Sequence, residues 1–115
     1  MSQGDYYQAD TGTDGIADGS SLTVNPRDTG VPAARIEQYS GSASAEVYFE
    51  VDPDEDGTYE ISVLIDSFSG AFHVENAATR VNPNANERLR IENASGGSAD
   101  FTVNGVEIDG TVGGD

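Results

Sequence analysis

The sequence predicts an all-β domain, a small antiparallel β-sandwich or jelly roll of seven or eight short strands. Two observations support this fold class. Apolar and polar residues alternate in several segments, as in strands that bury one face. Gly, Pro, Asn and Asp recur between these segments at intervals of about 8–12 residues, which is typical of sandwiches and barrels. An amphipathic helical period is not visible anywhere in the chain.

The clearest strand runs from Ser44 to Val51. Val47 and Phe49 fall on one face, while Glu46 and Glu50 fall on the other. This period of two predicts a half-buried strand. Four more strand segments are expected at residues 22–24, 31–39, 89–91 and 101–103, and another begins at residue 72.

The alternation resumes after an acidic turn. Tyr59, Ile61, Val63 and Ile65 are expected to face the core, with Leu64 as the exception. Further along, the pair Asn104-Gly105 lies between two short apolar segments. Because a type I′ turn needs positive φ at both central residues, this pair predicts a hairpin.

The charge of the chain is its most unusual property. It has no lysine, five arginines and 21 Asp and Glu residues, which gives a formal net charge of -16. This composition resembles that of haloarchaeal proteins, in which surface carboxylates stay hydrated in molar salt. Such a charge opposes binding to nucleic acids and to anionic membranes, so neither is an expected partner.

We expect one domain with two extensions: an extended N-terminal arm at residues 1–20, a single β-sandwich at 21–110, and a flexible tail at 111–115. The first residues contain neither a basic nor an apolar leader segment, which predicts synthesis in the cytoplasm without secretion. The chain has no cysteine, so disulfides and thiolate chemistry are excluded.

Part of the chain resembles a known family over about residues 45–103. The resemblance is to carbohydrate-binding modules of the galactose-binding jelly-roll type, and it implies sugar binding. It rests on the segments at residues 47–51, 57–63, 88–93 and 100–103. Tyr39 and Tyr48 would then be the side chains that stack on a sugar. Gly57-Thr58-Tyr59 also resembles the tyrosine corner of immunoglobulin-like sandwiches, which implies a sandwich as well.

Asp52, Asp54 and Asp56, followed by Gly57, match the first half of a calcium-binding loop. Alternating carboxylates before a glycine bend suit a hard cation with oxygen ligands. The twelfth loop position is Val63, where such loops carry a glutamate. The same stretch must form a turn between two strands, and this is the preferred interpretation, with Ca²⁺ or another cation as the alternative.

Four residues are candidates for contacts with neighbouring subunits. Arg88 and Arg90 lie two apart on one strand and therefore on one face, where they either dock an acidic neighbour or pair with carboxylates of their own sheet. Tyr6 and Tyr7 are adjacent aromatics in the polar arm. They either anchor the arm on a neighbour or form a local edge strand.

The sequence contains no nucleophile motif, phosphate-binding loop or histidine cluster, so we do not expect an enzyme. We expect a structural virion protein of a halophilic archaeal virus: a small capsid, decoration or tail-associated subunit, synthesised in the host cytoplasm and assembled into the virion. Its partners would be itself, as a homo-oligomer, and other virion proteins. The alternative is a module that binds surface glycans.

The charge leads to a prediction about salt. At about 1 M salt the Debye length is only about 3 Å, so the repulsion between carboxylates is screened. We expect the fold to loosen or unfold below roughly 0.5 M KCl as this screening fades. Circular dichroism melts across a KCl series measure the effect. A full cooperative transition at low salt would contradict the halophilic interpretation.

Overall fold

The computed structural model describes residues 6–12, 14–24, 33–54, 56–81 and 87–108. Within these residues the chain forms nine β-strands and no helix. In chain order the strands are β1 (Tyr6–Asp10), β2 (Ser21–Val24), β3 (Ala33–Gly41), β4 (Ala45–Val51), β5 (Ile61–Phe68), β6 (Phe72–Val74), β7 (Thr79–Val81), β8 (Glu87–Asn93) and β9 (Phe101–Ile108).

The strands form two antiparallel sheets, so the predicted all-β sandwich is confirmed. The first sheet has the order β1-β9-β3-β6, with β7 also paired to β3, and the second has the order β2-β8-β4-β5. Because β6 and β7 pair with successive parts of β3, they act as one strand in two pieces. With β6 and β7 counted as one, the eight strand positions divide equally between the two sheets. Successive strands change sheet except at β4 and β5, which are neighbours in the second sheet, and this is the connectivity of a jelly roll.

The core lies between the two sheets. On the second sheet, Leu22 pairs with Ile91, which in turn pairs with Val47. Since paired residues point to the same face, these rows make a continuous apolar surface. The buried apolar residues are Leu22, Val24, Ala34, Ile36, Tyr39, Ala45, Val47, Val81, Leu89, Ile91, Ala99, Phe101 and Val103.

The expectation that Ile61, Val63 and Ile65 are buried is wrong. Their exposed fractions are 48%, 52% and 41%, and that of Leu64 is 49%. The reason is position rather than pattern: β5 is the last strand of its sheet and packs chiefly against β4. Ile61 pairs with Val51, a residue that is itself only partly buried. Alternation therefore indicated a strand correctly, but it did not show how far the opposite sheet reaches.

The predicted hairpin at Asn104-Gly105 is also wrong. Both residues lie inside the continuous strand β9, where Gly105 pairs with Ile36 and Asn104 with Gln38. The register shifts between Ile36 and Gln38, so Glu37 is an extra residue in β3, a β-bulge.

The bulge at Glu37 lies beside the irregular segment that separates β6 from β7. The backbone N–H of Ala77 donates to the carbonyl oxygen of Glu37 at 2.8 Å. Ala77 lies between Asn76 and Ala78, which have positive φ values of 61° and 50°. These residues separate β6 from β7, so the bulge in β3 and the break in its neighbouring strand meet at one point.

The first of the expected extensions is partly described. Tyr6–Asp10 pairs antiparallel with β9, from Tyr6 opposite Val106 to Asp10 opposite Thr102. The expected tail at 111–115 lies outside the described residues. Within the described part of the chain, no helix is long and apolar enough to cross a membrane.

Gly105 provides a test of the bulge. A Cβ atom added there would lie 2.3 Å from the carbonyl oxygen of Arg35 on the adjacent strand. We expect Gly105→Ala to lower the free energy of unfolding by about 1–3 kcal/mol, since backbone on both sides must shift. Gly97→Ala is the matched control, because its added Cβ would meet nothing within 4 Å. Denaturant melts in molar KCl that find equal losses for both variants would contradict the close approach.

Candidate functional site

A charged cluster occupies the outer face of the second sheet, on the side away from the core. It forms because the register of three neighbouring strands aligns polar residues. Glu50 on β4 lies opposite Arg88 on β8 and opposite Ser62 on β5. Tyr48, two residues earlier on β4, lies opposite Arg90. Residues two apart on a strand share a face, so these side chains converge.

Glu50 is the centre of this cluster, and its side chain is only 4% exposed. The Arg88 Nε donates to Glu50 Oε1 at 2.7 Å. The Arg90 Nε and the Ser62 hydroxyl both donate to Oε2, at 2.9 and 2.8 Å. Both carboxylate oxygens are therefore engaged, which is what a buried charge requires.

Two tyrosine rings cover the guanidinium groups. The Cζ atom of Arg88 lies 3.8 Å from the centroid of the Tyr59 ring, and that of Arg90 lies 4.4 Å from the Tyr48 ring. Both distances are within the range of cation–π attraction. The rings also reduce the contact of the two cations with water, which strengthens their pairing with the carboxylate.

The cluster shifts the pKa values of Glu50 and Arg90. Burial of Glu50 acts to raise its pKa, but the hydrogen bonds from Arg88, Ser62 and Arg90 outweigh burial and lower it. For Arg90, burial acts to lower the pKa, and pairing with Glu92 and Glu50 outweighs it and raises the pKa. Arg90 Nη1 donates to Glu92 at 2.8 Å. Both shifts favour the ionised forms of Glu50 and Arg90.

The arrangement connects adjacent strands of one sheet. Arg88 and Arg90 pair with a carboxylate of their own sheet, which is the cross-strand alternative that the sequence offered. Docking of an acidic neighbour on the two arginines stays a prediction.

The second feature of this sheet is the β5 edge, by which we mean residues 61–65 of its last strand. These are Ile61, Ser62, Val63, Leu64 and Ile65, a stretch without a charged residue. The four apolar members are all between 41% and 52% exposed. They are the exposed large apolar residues of the described chain. Successive strand residues point to opposite faces, so Ile61 and Val63 lie on one face of β5 and Leu64 lies on the other. Exposed apolar patches of this kind mark contact surfaces.

The acidic loop after β4 has a different geometry from the calcium-binding loop that the sequence offered as an alternative to a turn. Asp52 and Asp56 come together with Glu60, and carboxylate oxygens of these three lie within 4.8 Å of one another. Within the described residues, Asp54 does not join them. These three side chains could supply oxygen ligands to a cation, but Asp52 already has other partners.

Asp52 is 4% exposed and organises the turn. Its Oδ2 accepts the backbone N–H of Gly57 at 2.8 Å, and its Oδ1 accepts that of Asp56 at 3.3 Å. Gly57 has a φ of +89°, which glycine adopts readily. These contacts are those of a turn closed by an aspartate, the interpretation preferred from the sequence.

The proposed sugar-stacking tyrosines do not form a common platform. Tyr39 is 4% exposed and lies in the core, edge-on to Phe68 and Phe72. Its hydroxyl donates to Asp66 at 3.1 Å, and burial together with Asp66 raises its pKa to about 12. Tyr48 is on the outer sheet face, where Arg90 covers one side of its ring.

Tyr6 and Tyr7 lie on β1, which is an edge strand of the first sheet. The structure describes their backbone pairing with β9 but not their side chains, so their role as contact residues stays a prediction. The sequence analysis did not single out Glu50 or Ser62. The signal was present as alternating carboxylates on β4 and alternating arginines on β8, but the pairing of these strands had to be known first.

The fold and the surface define a small acidic jelly-roll protein. On one face of its second sheet, side-chain hydrogen bonds connect three adjacent strands, and the β5 edge of that sheet exposes apolar residues. No protein-family model matches the chain. It is 30% identical over 107 residues to Gp30 of Haloferax tailed virus 1, a match that covers 92% of this chain and 91% of that protein. The chain belongs to the family of this haloarchaeal virus protein. The resemblance to carbohydrate-binding modules is not supported by the comparisons.

The cluster predicts the effect of removing one charge. Glu50→Gln leaves two arginines with a neutral partner at a buried position, and we expect a loss of about 2–3 kcal/mol in unfolding free energy. Glu37→Gln is the control, because the side chains of Arg35 and Glu37 are 50% and 36% exposed. That variant should change stability by no more than about 0.5 kcal/mol. Chemical denaturation in molar KCl that finds equal effects would refute the special position of Glu50.

The lowered pKa of Glu50 predicts a pH dependence. Since the folded-state pKa lies below the ordinary value of 4.5, the stabilisation is present above about pH 4.5 and is lost as pH falls through the folded pKa. The difference in melting temperature between wild type and Glu50→Gln should therefore shrink from about pH 6 to about pH 3. Using this difference cancels the general relief of repulsion as other carboxylates protonate. A constant difference across the range would rule out the proposed ionisation.

Proposed function

We propose that the protein is a non-enzymatic structural component of the virion of a halophilic archaeal virus, acting through protein–protein assembly. It would serve as a small capsid, decoration or tail-associated subunit. The virus context comes from the relationship to Gp30 of Haloferax tailed virus 1. The two-sheet jelly roll is an architecture that viral capsid domains use, although lectin domains use it too.

The observation that carries the assembly role is the β5 edge. The chain has a net charge of -16, yet within five residues this edge leaves Ile61, Val63, Leu64 and Ile65 between 41% and 52% exposed. Apolar surface of this kind is normally covered by a partner. A subunit that is incomplete until it meets its neighbours fits this surface better than a free enzyme or a free binding protein.

The charged cluster supports a mechanical role for the second sheet. Glu50, Arg88, Arg90 and Ser62 connect three adjacent strands by side-chain hydrogen bonds. Such hydrogen bonds would keep the strands of the sheet in one register when a partner binds the β5 edge. They also leave these polar groups occupied, which argues against catalysis at this face.

Glycan binding has less support. Tyr39 is in the core, and the rings of Tyr48 and Tyr59 each carry an arginine on one face. A sugar would have to displace one of these contacts or use the opposite ring face. A glycan array in molar KCl tests the alternative directly, and binding to one class of glycan would favour it over assembly alone.

Purified virions test the proposal. Particles of the virus that encodes this chain are banded in a salt gradient and examined by quantitative mass spectrometry and immunogold labelling. We expect a fixed copy number per particle and labelling at one location. A chain that is abundant in the lysate but missing from banded particles would overturn the proposal. A catalytic activity of the chain in the absence of all virion components would also overturn it.

A further inference from the structure

We propose that Arg88 is a docking residue on the outer face of the second sheet. Its occupant would be a carboxylate, a single Asp or Glu side chain within an otherwise uncharged surface of another virion protein. Arg90 would connect strands of the sheet and take no part in docking. This inference deepens the proposed function, and rests on it, by naming a contact residue and the chemistry of its partner.

The two arginines use their guanidinium groups differently. Arg90 donates from Nε to Glu50, and its Nη1 donates to both Ser21 and Glu92. Arg88 also donates from Nε to Glu50, but within the described part of the chain its two Nη atoms make no hydrogen bond. The end of the Arg88 guanidinium, where Nη1 and Nη2 lie side by side, is therefore an unused pair of donors.

The Arg88 side chain is held in place from two sides. The buried Glu50 carboxylate accepts its Nε at 2.7 Å, and the centroid of the Tyr59 ring lies 3.8 Å from its Cζ. A guanidinium that is already fixed loses little conformational entropy when a partner binds. The two Nη atoms match the two oxygens of a carboxylate, which they can bind through parallel hydrogen bonds.

The charge next to Arg88 permits an anionic group at this position. The ion-paired groups of the cluster are two carboxylates, Glu50 and Glu92, and two arginines, so their charges cancel in a chain of net charge -16. A partner carboxylate would therefore meet a neutral cluster that still has free donors. At about 1 M salt the Debye length is about 3 Å, so distant repulsion is screened while a hydrogen-bonded pair keeps its attraction.

The residues around Arg88 define the rest of the partner surface. Leu64 lies opposite Tyr48, so this half-exposed side chain shares the outer face with the arginines and can contact an apolar partner. Further along the same face, Glu46 lies opposite Glu92. A partner with many anionic groups, such as an acidic tail or a nucleic acid, would be repelled there. The surface thus favours one carboxylate among uncharged residues.

The first test uses the wild-type chain and phenylglyoxal, a reagent that condenses with the two Nη atoms of an accessible arginine. In the free chain in molar KCl, we expect Arg88 to react about tenfold faster than Arg90, because the Nη1 of Arg90 must first break its hydrogen bonds. In banded virions the modification of Arg88 should be lost. Chain released from disrupted virions is the control and should regain the free-chain rate. Peptide mass spectrometry measures each rate.

The second test uses the absence of lysine from the chain. Arg88→Lys keeps a cation beside Glu50 and introduces a single side-chain amine. A water-soluble carbodiimide activates a carboxylate, and a neighbouring amine then forms an amide with it while the carbodiimide leaves as a urea. In banded virions that carry this variant, we expect a crosslink from position 88 to an Asp or Glu of another virion protein. Arg35→Lys is the matched control, since Arg35 is an exposed arginine paired with Glu37 of its own chain.

Three results would overturn the inference. One is an Arg88 that reacts equally fast in the free chain and in virions. Another is an amine at position 88 that links only to carboxylates of its own sequence, or to the same partner peptide as the Arg35→Lys control. The third is a link to a sugar acid in place of a peptide, which would favour glycan binding.

The remaining outcomes are also decisive. If Arg88→Lys has the wild-type circular dichroism spectrum but is missing from virions that incorporate Arg35→Lys, the arginine fork is required and the inference is supported. If the variant does not fold, the phenylglyoxal rates of the wild type decide. A wild-type chain that is present in banded virions without protection of Arg88 removes the inference and leaves the proposed function standing. A wild-type chain that is absent from them removes both.

Discussion

The pairing of one buried glutamate with two arginines is the interaction on which the second sheet depends. Glu50 receives hydrogen bonds from Arg88, Arg90 and Ser62, and these three come from the strands on either side of it. The chain has only five cationic side chains against 21 carboxylates, so it uses two of its few cations at a single position. Arginine suits this task better than lysine, because its planar fork can donate in fixed directions and lie on a tyrosine ring. A chain without lysine can therefore still neutralise a buried carboxylate, because the strand register places two arginines beside Glu50.

How much of the fold and of the charged cluster could be predicted from the sequence depends on how far apart in the chain the interacting residues lie. Period-two alternation around Val47 correctly predicted a half-buried strand and, with the spacing of turns, the all-β sandwich, because both signals are local. The exposure of Ile61 could not be read in the same way, since it depends on where the opposite sheet ends. The error at Gly105 has a similar origin. An Asn-Gly pair favours a hairpin locally, but pairing with β3 across the bulge at Glu37 keeps the strand continuous. The convergence on Glu50 required knowing which strands are neighbours.

The two sheets differ in their edge strands, so the edges of the sandwich are not equivalent. The first sheet ends in a strand broken in two on one side and in β1 on the other. The second sheet ends in the four-residue β2 on one side and the uncharged β5 edge on the other. The many carboxylates of the chain repel other acidic surfaces, and residues 61–65 of β5 include none of them. An acidic surface therefore does more than keep a protein hydrated in molar salt. It also repels other acidic proteins wherever its carboxylates are exposed.

The pairing of β1 with β9 has a consequence for synthesis. Tyr6 lies opposite Val106, so the first strand that the structure describes pairs with the last one that it describes. Contacts between residues this far apart in sequence close late and make folding slow. The first sheet cannot be completed until β9 has been synthesised, and β1 must wait without its partner until then. Closure of this sheet is therefore a late step in the folding of the chain.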